Sequence, residues 1–140
     1  RQAEAIIIDT IHAAYPEHCI LAEESGASGD KKKSDHEWII DPLDGTTNYL
    51  HGFPVYSISI ALRVKGVLQV AVVYDPSRDE LFTASKGKGA HLNDRRIRVS
   101  DTRSFGDALL ATGFPYNDMR YLDPWVASFK SLVPHVAGVR

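Results

Sequence analysis

Asp41-Pro42-Leu43-Asp44-Gly45-Thr46-Thr47-Asn48 concentrates more chemistry than any other stretch of this 140-residue chain. Two carboxylates stand three residues apart, followed by a glycine and two hydroxyls. Asp41, the Leu43 carbonyl and Asp44 are hard oxygen donors that can converge on one point, a set that suits Mg²⁺ or Mn²⁺. Gly45-Thr46-Thr47 then offers free backbone N–H groups where a helix opens, a good place for an anion. A divalent cation beside a phosphate cradle points to phosphate-ester chemistry. Asp-Pro and Asp-Gly pairs also punctuate ordinary solvated turns, so the octapeptide gains meaning from what surrounds it.

A second acidic segment lies upstream, where the apolar run Ile20-Leu21-Ala22 meets Glu23-Glu24-Ser25-Gly26. Adjacent residues at a strand end point to opposite sides, so one carboxylate can reach a cation while the other faces elsewhere. Read alone, this is an acidic turn. Beside Asp41 and Asp44, it supplies the third carboxylate that a multi-metal phosphoryl-transfer site would use.

Trp38-Ile39-Ile40 reads as a short buried strand ending at Asp41, and Pro42 should take the chain out of the sheet there. An apolar-periodic helix is expected over Ala3 to Ala14, with Ile7, Ile11 and Ala14 on one face and Tyr15-Pro16 ending it. Thr46 to Leu50 should form a short helix stopped at Gly52 and Pro54. Strands follow at Val55 to Val64 and Val67 to Tyr74 around a Lys65-Gly66 hairpin, with Ile58, Ile60, Leu62 and Val64 on one face. Glu80 to Ala84 continues an antiparallel meander. Lys86-Gly87-Lys88-Gly89 resembles a phosphate loop, but its glycines suit a turn or bulge. His91-Leu92 and Ile97-Arg98-Val99 flank a further hairpin at Asn93-Asp94. Ala108 to Ala111 reads as a buried strand. Asp123-Pro124 has the form of a helix start, followed by a Trp125, Val126, Phe129, Val133 stripe that suits a core or subunit interface.

Composition is that of a globular protein, 44% hydrophobic and 24% charged, long enough to build a core. The formal charge of −2 comes from interspersed acids and bases, which argues against a basic face for nucleic acid. Lys31-Lys32-Lys33 reads as a solvated loop. No stretch approaches a membrane-spanning length. The single Cys19 excludes an internal disulfide, suits a small packed residue and points to a reducing, cytoplasmic setting. The six histidines show no zinc-ligand spacing.

Leu21-Ala22-Glu23-Glu24-Ser25-Gly26, then Trp38 through Tyr49, then Gly52-Phe53-Pro54, resemble the inositol monophosphatase family, nearest to its bacterial branch. The similarity continues through Val72-Val73-Tyr74-Asp75-Pro76, Ala84 to Ala90 and Ala111-Thr112-Gly113-Phe114-Pro115. The resemblance implies an α/β fold in which helices layer on a largely antiparallel sheet. It implies Glu23, Asp41, the Leu43 carbonyl and Asp44 as ligands of Mg²⁺, with Mn²⁺ a possible substitute and Asp41 bridging two ions. Gly45 and Thr46 would meet the substrate phosphate, Thr46 also orienting the attacking water, and Glu24 would support the ligands from behind. The implied reaction is direct hydrolysis of a phosphate monoester, inositol 1-phosphate first among candidates, by a lithium-sensitive homodimer. Sugar bisphosphates, histidinol phosphate and nucleotide phosphates are alternative substrates. A regulatory or interaction protein that keeps the phosphatase scaffold is the alternative from another class. Family members carry helices ahead of this region, with an Asp that pairs with the threonine matching Thr46. They also carry a second half with a Trp-Asp-x-Ala-Ala-type segment. The expectation is therefore that residues 1–140 are a single partial domain, an internal piece of a longer phosphatase.

Overall fold

The computed structural model describes residues 1–140, which form two compact units, Arg1–Arg98 and Val99–Arg140. The expected α/β architecture with a largely antiparallel sheet is present in the first unit. Helix α1 (Gln2–Ala14) is followed by β1 (Cys19–Ala22), β2 (Gly26–Ser28), β3 (His36–Asp44), the short helix α2 (Thr46–Leu50), β4 (Ser57–Val64) and β5 (Val67–Asp75). Strands β6 (Glu80–Ser85), β7 (Gly89–Leu92) and β8 (Arg95–Ile97) complete an eight-stranded sheet in the order β2-β1-β3-β4-β5-β6-β7-β8. Only β1 and β3 run parallel; every other neighbouring pair is antiparallel.

The register sorts side chains between the two faces. Ala22 pairs with Ile40 and Ile40 with Ile60, so these residues share a face with Ile20 and Trp38. Helix α1 packs there: Ile11, Ile20, Ala22 and Ile40 are buried, with Ile7, Ile8, Trp38 and Ile60 against them. The opposite face of β3 carries Glu37, Ile39 and Asp41. Cys19 is buried beside the Gly29 backbone, as a packed small residue.

Two turns follow the hairpin chemistry read from sequence. Lys65 and Gly66 both adopt positive φ (50° and 78°), as do Asn93 and Asp94 (44° and 65°), which matches the twist of the flanking strands. At Pro42 the expectation needs correction. The chain stays in the sheet to Asp44, and the pairing shifts from Asp41 opposite Ser59 to Asp44 opposite Ser57. A proline lacks a ladder donor, and a bulge, where one residue goes unpaired, accommodates it without ending the strand. Lys31 is likewise not simply solvated: its ammonium lies 2.7 Å from Glu37 Oε1.

The second unit contains β9 (Leu109–Leu110), α3 (Leu122–Leu132) and β10 (Gly138–Val139), with β9 and β10 paired in parallel. Two differences from expectation appear here. The strand expected to be buried spans only two residues, and Leu109 is 63% exposed, because a two-stranded ribbon leaves a face uncovered. Helix α3 begins at Leu122 rather than after Asp123, preceded by a 3₁₀ turn over Met119–Tyr121. Asp118 caps that turn, accepting from the Arg120 N–H at 3.0 Å. Pro124 still falls in the first turn of α3, where its missing N–H costs nothing. Trp125 stacks on Phe129 with centroids 5.1 Å apart, as the helical stripe required.

Candidate active site at the end of β3

The acidic residues assemble where β1 and β3 end side by side. The Glu23 N–H donates to the Ile40 carbonyl (3.1 Å), which extends the β1–β3 pairing one residue and sets Glu23 beside Asp41 on the face away from α1. The neighbouring Glu24 turns its backbone the other way, its N–H donating to Glu4 Oε2 (3.0 Å). This is the alternation that two adjacent strand-end carboxylates require.

Glu23 is held above the usual carboxylate range, chiefly by the negative charge of Asp41. A hydrogen bond shared with Asp41, partial desolvation, and the charges of Glu24 and Asp44 push the same way. None of Glu23, Asp41 and Asp44 takes part in an ion pair. The chain thus gathers like charges here without supplying a cation of its own.

The turn is organised locally. Asp41 Oδ1 accepts from the Leu43 N–H (3.0 Å), an Asx-type turn that aims the carboxylate along the bulge. The Thr46 hydroxyl donates to the Leu43 carbonyl (2.9 Å), leaving that oxygen a second lone pair. Gly45 precedes α2 with φ +89°. A side chain here would fail twice: that φ disfavours L residues, and a Cβ would lie 2.9 Å from the Val55 carbonyl. Asn48 ties α2 to the start of β4, its Nδ2 donating to the same Val55 carbonyl (2.8 Å) while its own carbonyl accepts from Phe53 N–H (2.8 Å).

Two open pockets border this turn. One, of about 330 Å³, is lined by Glu23, Asp41, Ile39, Ser59 and Ala61. The other, of about 340 Å³, includes Asp44, Gly45, Asn48, Asp75 and Arg78. Glu23 and Asp41 therefore share one recess, while Asp44 and Gly45 open on the next. No three carboxylate, imidazole or thiol groups close on a common point as a finished cage. The donor chemistry nonetheless fits a hard divalent cation: the donors are all oxygen, Glu23 and Asp41 line one recess with Asp44 on the next, and none has a cationic partner.

Sequence reasoning passed over Glu4, a carboxylate only 5% exposed that holds the Glu23-Glu24 corner from α1. The available signal was an acid standing in the apolar stripe with Ile7 and Ile11. Asp75 and Arg78, 3.5 Å apart at the second pocket, are a pair that sequence reasoning also missed.

No helix is long and apolar enough to cross a membrane. A match to the inositol monophosphatase family runs over residues 1–140. Nus factor SuhB of Escherichia coli K12 is 50% identical over 140 residues, all of this chain and 52% of that protein. Among solved structures, extragenic suppressor protein suhB from Bartonella henselae superposes with a TM-score of 0.94 at 41% identity, covering 100% of this chain and 53% of that one. Inositol monophosphatase from Anabaena gives 0.89 at 47% identity over 98% of this chain and 54% of its own. The chain spans about half the length of the curated relatives it matches. With the family match running end to end and the same fold in these neighbours, the chain belongs to the inositol monophosphatase family.

Proposed function

We propose that the complete protein is an interaction factor of the transcription machinery built on an inositol monophosphatase scaffold. One observation carries this reading: a relative half identical over the whole chain bears the name Nus factor, a term for proteins that work with transcribing polymerase.

Metal-dependent hydrolysis of a phosphate monoester is the second reading, and the placing of Glu23 beside Asp41 in one recess at the end of β3 favours it. Glu23, Asp41, the Leu43 carbonyl and Asp44 would hold Mg²⁺, or Mn²⁺ in its place. When bound, the cation supplies Lewis acidity toward the phosphate oxygens and lowers the pKa of a water. The chain's own residues do the rest. Gly45 permits the left-handed turn before α2, whose backbone would meet the phosphate. The Thr46 hydroxyl, held by its 2.9 Å hydrogen bond to the Leu43 carbonyl, would orient the attacking water. Inositol 1-phosphate is the first substrate to test, ahead of sugar bisphosphates, histidinol phosphate and nucleotide phosphates. A lithium-sensitive homodimer located in the cytoplasm completes this reading.

One substitution separates the two. In the complete protein, Asp44→Asn should abolish phosphate release from inositol 1-phosphate and leave association with transcription complexes unchanged. Loss of that association along with hydrolysis would contradict the interaction reading.

A further inference from the structure

The far edge of the eight-stranded sheet carries a charge opposite to that of the chain. Lys86, Lys88, Arg95, Arg96 and Arg98 face a single acid, Asp94, between positions 86 and 98, giving net +4 locally in a protein of formal charge −2. All five are exposed, and none is in an ion pair. The even mixing of charge read from the whole sequence therefore fails at this edge.

The register gathers four of these cations. Arg96 pairs with His91 and Ile97 with Ala90, so the chain returns beside Gly89 at Arg98. Arg98 follows immediately after β8, two residues beyond Arg96. The Arg96 guanidinium reaches over Gly89, within 3.3 Å of where a Cβ would sit. Lys86 and Lys88 occupy the turn that enters β7 at the same end. Guanidinium forks and ammonium groups at this spacing suit phosphate oxygens.

Edge protection alone does not account for the patch. A charge on an edge strand discourages pairing with another sheet, but β8 is three residues long and Lys86, Lys88 and Arg98 lie outside it. A protein partner would want a buried apolar or aromatic centre. Here Ile97 pairs with Ala90 on the other face, and no Phe, Tyr or Trp lies between 86 and 98.

We infer that this edge binds the sugar–phosphate backbone of RNA, without base stacking. The choice of RNA over other nucleic acid rests on the transcription reading above. The test uses the complete protein and a labelled, mixed-sequence single-stranded RNA, followed by fluorescence anisotropy across a salt series. Lys88→Gln/Arg96→Gln/Arg98→Gln is compared with Lys32→Gln/Lys33→Gln/Lys130→Gln, which removes the same charge elsewhere. The edge variant should bind about tenfold or more weakly near 0.1 M salt, with the log–log salt slope shallower by about 2, and the control should match wild type. Unchanged thermal unfolding of both variants establishes that each is folded. Equal weakening in both, no binding by wild type, binding to an acidic peptide in place of RNA, or equal binding to duplex DNA would each overturn the inference. Loss of RNA binding with association to transcription complexes intact would sink this inference and leave the transcription reading standing.

Discussion

Glu37 and Asp41 stand on one face of one strand, four residues apart, and meet opposite electrostatic fates. Glu37 is only 7% exposed, yet Lys31 lies 2.7 Å from one carboxylate oxygen and Arg63 donates through Nε (3.0 Å) and its terminal nitrogen to the other. Hydrogen bonds from Lys31 and then Arg63 hold its carboxyl below the ordinary range, against the opposing pull of burial. At the other end, Asp41 sits against Glu23 with Asp44 nearby and no cation opposite, so Glu23 is driven the other way. A carboxylate that the fold neutralises belongs to the scaffold. Carboxylates gathered without a neutralising partner stay open to a cation from outside.

The largest predicted disturbance is at the neutralised end. Arg63→Ala should destabilise the protein by roughly 2 kcal/mol, less than a fully buried pair because Arg63 is about a third exposed. Urea unfolding measures it; a change within error would place Glu37 in effective contact with water. Gly45→Ala should cost about 1–2 kcal/mol through its left-handed φ and the clash with the Val55 carbonyl, read as a lower Tm. A neutral outcome would mean that the turn before α2 relaxes freely, and the acidic end would lose its claim to a fixed shape.

The smallest effect is on pH. Glu37 has a folded pKa below its unfolded one, so its contribution is present above the unfolded value near 4.5 and is lost as pH falls through the lowered folded value. Arg63→Ala should flatten the acid limb of the stability profile. An unchanged limb would remove Glu37 from the account of acid stability.

Much of this comparison was legible in the sequence. Trp38-Ile39-Ile40 announced a strand, Glu23 and Asp41 its acidic end, and Lys65-Gly66 its return, because hydrophobic pattern and turn chemistry are local. What escaped depends on distant partners. Nothing in Lys31-Lys32-Lys33 says that one lysine reaches Glu37, or that Arg63 arrives opposite it by register. Nothing local to Glu4 says that its carboxylate accepts from the Glu24 amide, twenty residues away. Scattered histidines gave no pair by spacing, yet His18 and His36 stack with centroids 4.5 Å apart once β1 and β3 lie parallel. Pro42 was misjudged for another reason: a break in the donor ladder is compatible with leaving a sheet or bulging within it, and pairing with β4 decides.

The second reading proposes that the acidic end of β3 holds a divalent cation. Mn²⁺ binding to the complete protein, followed by calorimetry for wild type and Asp44→Asn, tests it most directly. Saturable binding that Asp44→Asn abolishes or severely weakens is the predicted result. Wild type that takes up no Mn²⁺, or a variant that binds as well as wild type, would contradict it.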